Sequence, residues 1–391
     1  MADIEEQEKQ INELRRLRRM FHQHPETGFE CAWTSSKIRD ELLGYGIEDI
    51  ENVGAHSLLV TLDNKKGSTI GLRADFDALP ITEENDVPYR SRQTGKMHAC
   101  GHDGHTAMLL VTIRYLHEHR EEWSGRVVGI FQEAEEGPLP GGASKIKDHA
   151  TIASLDYVFA LHVSPDIPVG HIAAKKGAAM ASVDIFDAVV HGQGGHAAYP
   201  EKAINPLNAV AEISTTIRDY HQSLMKSEEP VTLSVTKIQG GTTFNVIPED
   251  ASITGTIRTF SKAMRTRVQT MIETIMGNIQ NKHHVTVDLD YKIGYPSLYN
   301  HPSAWSVMRK NVKDIFGDKA FIDMEDPMRV SEDFSYYAQK IPGCLAWLGV
   351  AHKNHTNPPL HHPTFDFDER ALSYGVEVLK NIVTQGEEEN I

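Results

Sequence analysis

Between Gly177 and Tyr291 the expected elements run β-α-β-β-α-β, while on either side helices separate some of the strands. Val183 to His191 alternates as a strand, and Asn205 to Tyr220 reads as a helix. Thr232 to Ile238 and Ser252 to Phe260 read as strands, Lys262 to Asn281 as a helix and Val285 to Tyr291 as a strand. That order is the split βαβ, ferredoxin-like unit. Before it, helices are expected over the first two dozen residues and through Trp33, Ile38, Leu42 and Leu43. Strands follow at Ser57 to Leu62, Ile70 to Ala74, Arg126 to Phe131 and Tyr157 to His162, with helices at Ala107 to His119 and Ala143 to Ala150. After Pro296 come helices at Ala304 to Phe316 and Asp333 to Lys340, a strand at Leu345 to Val350 and a closing helix after Asp368. The expected fold is therefore α/β. A mostly parallel-sheet domain, residues 1–177 and 292–391, carries an inserted ferredoxin-like α+β domain, residues 178–291.

A chain of 391 residues has room for two domains and a full core. Its formal net charge of -15 argues against nucleic acid as a partner, because phosphate binding needs basic patches. No apolar run reaches transmembrane length, so no membrane partner is expected. The acidic start, Met1 to Glu6, lacks the basic-then-apolar pattern of a signal peptide. Cys31, Cys100 and Cys344 are too few and too scattered for a disulfide framework, which points to a reducing, cytoplasmic setting. The only biased segment is the acidic tail at Glu387, Glu388 and Glu389.

The densest chemistry lies in Met97-His98-Ala99-Cys100-Gly101-His102-Asp103-Gly104-His105. Cys100 and His102 stand two apart, so in an extended segment they project to one side. The apolar run after it, from Ala107, reads as a buried helix with Asp103 or Thr106 placed to cap it. In an α/β sheet the chemistry gathers at strand carboxyl ends. Three further groups sit at or beyond such ends or carry donor side chains. Gln132-Glu133-Ala134-Glu135-Glu136-Gly137 follows a strand, and adjacent carboxylates on non-helical backbone point apart. One can then bind a metal while its neighbour faces a substrate. His162 closes an apolar strand and, taken alone, is more often structural than a ligand. In Leu360-His361-His362-Pro363, Pro363 forces an extended backbone on His362.

These segments join Arg73-Ala74-Asp75-Phe76-Asp77-Ala78-Leu79-Pro80, Gly194-Gly195-His196-Ala197-Ala198-Tyr199-Pro200 and Asn245-Val246-Ile247-Pro248 in one ordered series. The series resembles the aminoacylase/carboxypeptidase family of co-catalytic metallopeptidases. Within it, the match is to the amidohydrolase branch of hippurate hydrolases, N-acetyl-diaminopimelate deacetylases and auxin-conjugate hydrolases. The resemblance runs from about Leu17 to Leu372.

The resemblance implies a catalytic domain with an inserted lid that also forms a homodimer. It implies two divalent metal ions per subunit, with Cys100 bridging them. His102 and His162 would complete one ion, and Glu136 and His362 the other. Glu135 would be the general base, and Asp75 would orient a metal ligand by a hydrogen bond. His196 would reach across the dimer to the oxyanion, while Asn245 and Arg258 would hold the substrate's carbonyl and carboxylate. Thiolate and imidazole donors favour zinc, and the carboxylates also suit manganese, cobalt or nickel. Arg73 departs from other branches, which place a histidine ligand there. Glu133 departs from a common proline and is expected to add a carboxylate near the site. The implied reaction is hydrolysis of the amide of an N-acyl amino acid or related conjugate to a carboxylate and a free amino acid. The alternatives are a dipeptidase or carboxypeptidase using the same site, and a non-catalytic protein binding metal or conjugate.

Overall fold

The computed structural model describes residues 2–64, 66–224, 229–352 and 357–385. The acidic tail at Glu387, Glu388 and Glu389 lies outside the described residues. The chain divides into two compact units: Met1–Gly177 with Tyr299–Asp326 and Asp333–Ile391, and Ala178–Leu298 with Pro327–Glu332.

The first unit opens with helices α1 (Ala2–His22) and α2 (Ala32–Gly44), followed by strands β1 (Ile50–Val53), β2 (Ser57–Asn64) and β3 (Thr69–Asp75). Helix α3 (His102–Glu118) precedes β4 (Gly125–Gln132), β5 (Tyr157–Pro168) and β6 (Ile172–Ala174). In the second unit come β7 (Asp184–His191), α4 (Pro206–Leu224), β8 (Thr232–Gly240), β9 (Asp250–Arg258), α5 (Lys262–His283) and β10 (Thr286–Ile293). The chain then returns to the first unit with α6 (Pro302–Phe316), β11 (Phe321–Asp323), β12 (Gly343–Ala351) and α7 (Ala371–Thr384).

The first unit's eight-stranded sheet has the order β1-β2-β4-β3-β5-β12-β6-β11. Its centre, β4-β3-β5-β12, is parallel, and antiparallel pairs join β1 to β2, β2 to β4 and β12 to β6. The mostly parallel sheet is thus as expected. The central strands are buried along nearly their whole length, as strands covered on both faces must be. Helix α3 is buried from His102 through Ile113, and it packs against α1, α7 and β3. A helix apolar on every side survives in water only inside such a core.

In the second unit β7 and β9 alternate buried and open positions, and the sheet order β8-β9-β7-β10 is antiparallel throughout. Phe186, Ala188 and Val190 turn to one face, where Ile213, Ile217, Val268 and Ile272 of α4 and α5 cover them. Period-two burial on strands and a stripe on each helix are the physical content of a ferredoxin-like unit.

Several local expectations give way. The helix expected from Ala107 starts at His102, because Gly101 rather than Asp103 or Thr106 precedes its first turn. Strand β5 runs on to Pro168, so His162 lies within the strand instead of closing it. The helix expected over Ala143 to Ala150 is two single turns, Ala143–Ile146 and Ala150–Ala153, and that over Asp333 to Lys340 is one turn, Ser335–Ala338. Among the described residues no helix is long and apolar enough to cross a membrane.

Candidate metal centre

Three neighbouring strands bring the donor groups together. β3 ends at Asp75, β4 ends at Gln132, just ahead of Glu135 and Glu136, and β5 carries His162. Between Cys100 and His102 stands Gly101, with φ 84°. A Cβ there would also come within 2.4 Å of Val163 Cγ2, so glycine is required on both counts. The turn places Cys100 Sγ 3.4 Å from His162 Nε2. His162 Nδ1 donates to the Val163 carbonyl at 2.8 Å, which leaves the Nε2 lone pair facing the sulfur. Donor atoms of Cys100, His102 and His162 all lie within 4.8 Å of one another.

On its other side Cys100 Sγ lies 3.3 Å from His361 Nε2, which is 3.0 Å from Glu136 Oε1. Cys100, Glu136 and His361 form a second group of donors within 4.8 Å, so the sulfur belongs to both groups. The expectation of His362 in this place is corrected. Both histidines are exposed, but the Nδ1 of His362 is bonded to Thr364 Oγ1 at 2.8 Å, away from Cys100 and Glu136. His361 instead adopts φ 65°, and its N–H donates to the Ala99 carbonyl at 2.8 Å. Left-handed backbone at a non-glycine residue persists only where its surroundings hold it, as that bond to the Cys100 turn does. Glu135, 7 % exposed, belongs to a further group with His102 and Glu136, again within 4.8 Å.

The electrostatics suit a cation. Burial pushes the Cys100 thiol well above its usual range, and Glu136, Glu135 and Asp75 push it further. Burial disfavours charge on His102, yet Asp75, Asp77 and Glu136 outweigh it and lift the imidazole to about 10. Burial drives His162 well below its ordinary value, so this ring is neutral and able to ligate. Neither ring nitrogen of the fully buried His102 has a hydrogen-bond partner. Buried polar atoms left unpaired cost about 1–3 kcal/mol each. A divalent ion would satisfy such atoms, neutralise the crowded carboxylates and take the proton's place on Cys100. The residues present fit a metal.

The carboxylates around the centre divide their work differently from expectation. Asp75 accepts from Arg73 Nη1 at 2.7 Å and from His105 Nδ1 at 2.6 Å. His105 Nε2 in turn accepts the Val163 N–H at 3.0 Å, so this ring is used up in bracing. Asp75 lies 3.8 Å from His102 Nε2. Asp77 was not singled out by its position in the sequence. It accepts the N–H groups of both Glu135 and Glu136 and lies 3.5 Å from His102 Nδ1. Its signal was the second aspartate of Asp75-Phe76-Asp77. Glu133 adds nothing to the centre, because its Oε1 accepts from the N–H groups of Ala55 and His56 at 2.9 Å. Asp103 accepts from Arg18 Nε at 3.1 Å and His22 Nδ1 at 2.8 Å, which ties the first turn of α3 to α1. His98 is buried without a hydrogen-bond partner, and burial pushes it down to about 3.

His196, Asn245 and Arg258 belong to the second unit. Gly195–His196 pairs with Val246–Ile247, and His196 and Asn245 line one hollow of ≈ 380 Å³. His196 is exposed, and its Nδ1 accepts the Ala198 N–H at 3.1 Å. Arg258 is half-buried on β9 and donates to Ser331 Oγ; it does not line that hollow.

Known proteins share this architecture. An IAA-amino acid hydrolase (ILR1-like 2) of Arabidopsis thaliana is 34% identical over 377 residues, covering 95% of this chain and 84% of that protein. An N-acetylcysteine deacetylase of Bacillus subtilis is 35% identical over 359 residues, covering 91% of this chain and 92% of that protein. A solved Bacillus subtilis structure, described as a dinuclear metal binding peptidase from the M20 family, superposes with a TM-score of 0.83 at 32% identity. It covers 97% of this chain and 99% of its own. Residues 71–385 match peptidase family M20/M25/M40, to which the chain therefore belongs, as a metal-dependent hydrolase of amide bonds.

Proposed function

We propose that this chain hydrolyses the amide bond of N-acyl amino acids or related amino-acid conjugates, releasing a carboxylate and a free amino acid. The observation that carries the reading is one buried thiol, Cys100, shared by a His102–His162 pair and a Glu136–His361 pair, with Glu135 beside them. Two divalent ions are assigned to these groups, His361 replacing His362 in the ligand set. Zinc or manganese fits the mixed sulfur, imidazole and carboxylate donors best, and cobalt or nickel remains compatible. Bound there, the ions would polarise the amide carbonyl and acidify water. Glu135 would take a proton on a carboxylate oxygen and deliver it to the leaving nitrogen. His162 and His105, each fixed in one tautomer by backbone bonds, hold the wall of the site in register. Asn245 and Arg258 are assigned to the substrate's carbonyl and carboxylate, and His196 to the oxyanion.

A homodimer through the second unit fits the exposed outer half of β8, residues 236–240, and the exposed Phe244 and Val246 beside the His196 hollow. A cytoplasmic setting fits three buried free cysteines. Glu135→Gln tests the reading. With N-acetyl and N-benzoyl amino acids, kcat should fall by about 10²–10⁴-fold, while elemental analysis shows the metal retained. Turnover near the original level would overturn the role of Glu135. Faster cleavage of a dipeptide than of the N-acyl amino acid with the same C-terminal residue would move the substrate class to peptides.

A further inference from the structure

His361 keeps its left-handed backbone in a stretch, residues 357–370, that forms neither helix nor strand. On one side the Ala99 carbonyl secures it, by accepting the His361 N–H. On the other side the chain is held by a loop distant in sequence, Glu83 to Ser91, which also forms neither helix nor strand. Glu84 N–H donates to the Pro363 carbonyl at 2.8 Å, and Asn85 Nδ2 donates to the Phe365 carbonyl at 3.0 Å. Tyr89 OH donates to Asp366 Oδ2 at 2.9 Å. The loop is itself fixed by Glu83, which is 2 % exposed and belongs to none of the metal donor groups. Glu83 Oε1 accepts from His22 Nε2 and from Asn85 Nδ2, each at 3.2 Å, and Oε2 accepts the Ser91 N–H at 2.7 Å. Asn85 Nδ2 therefore stands between two acceptors, a carboxylate in the loop and a carbonyl in the His361 stretch. An amide nitrogen carries two N–H donors and meets both, which neither a carboxylate nor a hydroxyl can do. Phe365 is fully buried, so no water replaces Asn85 on its carbonyl without local opening.

We propose that Asn85 is a positioning residue for the ion assigned to Glu136 and His361. Its amide ties the Glu83 loop to Phe365 and so sets where His361 stands relative to Cys100 and Glu136. The inference rests on the amidohydrolase reading above, in which His361 is a ligand. Aspartate at 85 has the same size but places a carboxylate against Glu83 Oε1 and the Phe365 carbonyl. Both bonds then turn into repulsions, and the stretch after His361 is pushed off the loop. The His102–His162 pair, carried by α3 and β5, keeps its own supports.

The test is calorimetric titration with zinc of Asn85→Asp, beside His361→Ala and the unaltered chain. One of the two binding steps of Asn85→Asp should weaken by about 10–100-fold, as when the support of a metal ligand is removed, while the other stays within about twofold. A merely structural role would move both steps alike. Equal weakening of the two steps, or none in either, overturns the inference, and loss of one ion in His361→Ala then leaves the amidohydrolase reading standing. If His361→Ala still binds two ions like the unaltered chain, the ligand assignment itself falls. Should Asn85→Asp fail to fold, Asn85→Ala carries the same test, because it removes both donors without adding a charge. One step should weaken by about tenfold, and equal or absent weakening overturns the inference.

Discussion

His102 is fully buried, with Asp77 against one ring nitrogen and Asp75 and Glu136 near the other. His196 is exposed, and among the described residues its ring meets the N–H of Ala198 two residues on and the edge of Tyr199. His102 opens α3 and His196 ends a two-residue strand, yet one is a buried ring set among carboxylates from several segments and the other is a side chain on a rim. Chemistry that needs positions accurate to a fraction of an ångström is built where the chain over-determines the geometry. That difference is why the proposed ligands and base come from the first unit, while the proposed role of His196 requires a partner subunit.

A metal-content series makes the sharpest break in this contrast. Cys100→Ser should lose both ions together and drop turnover to background, because its sulfur belongs to both donor groups. His361→Ala should lose one ion, whereas His362→Ala, a change at an exposed side chain, should stay within about twofold. Equal damage from the two histidine variants, measured by elemental analysis and kcat, would reverse the assignment of His361.

The rim is tested next, by sedimentation of the intact chain at micromolar concentration. A dimer is expected. Phe244→Asp should weaken it by about tenfold or more, since truncating an aromatic anchor costs about 2 kcal/mol or above. A monomeric native chain would remove the partner from the account of His196.

The smallest effect concerns charges buried beside the centre. Burial alone would keep His22 neutral, but bonds to Asp103 and Glu83 outweigh it and lift its pKa to about 9. A raised folded-state value stabilises fully below the unfolded value of 6.5 and fades as pH rises through about 9. Stability should therefore decline from pH 6.5 to 9 by at most about 3 kcal/mol, read as a falling melting temperature, and His22→Gln should flatten the profile. His191, held between Asp250 and Asp288 on an exposed face, makes the control: His191→Gln should leave the melting temperature unchanged. A larger effect from His191 would break the comparison of buried with exposed charge.

Much of this was legible from residue order alone. The alternation in β7 and β9 is periodic and the buried run after Gly101 is continuous, and both patterns survive without knowledge of partners. Short strands such as β1, β6 and β11, three or four residues each, carry no period and exist because a neighbouring strand offers its edge. Glu133 shows the same limit at the site. An extra carboxylate beside Glu135 promised added charge near the metal groups, but two N–H donors at Ala55 and His56 claim it.

By itself the sequence determined which chemistry was available: a thiol, imidazoles and paired carboxylates on an α/β frame, because donor character is a property of residue type. Tertiary structure decided which of those donors meet. His361 meets Cys100 and Glu136 while His362 meets Thr364, and the φ of 65° that sets this is secured by a bond to Ala99 more than 250 positions away in the chain. Asp77 reaches Glu135 and Glu136 because β3 and β4 end side by side. Such choices are made by contacts between distant segments, and local sequence holds no record of them.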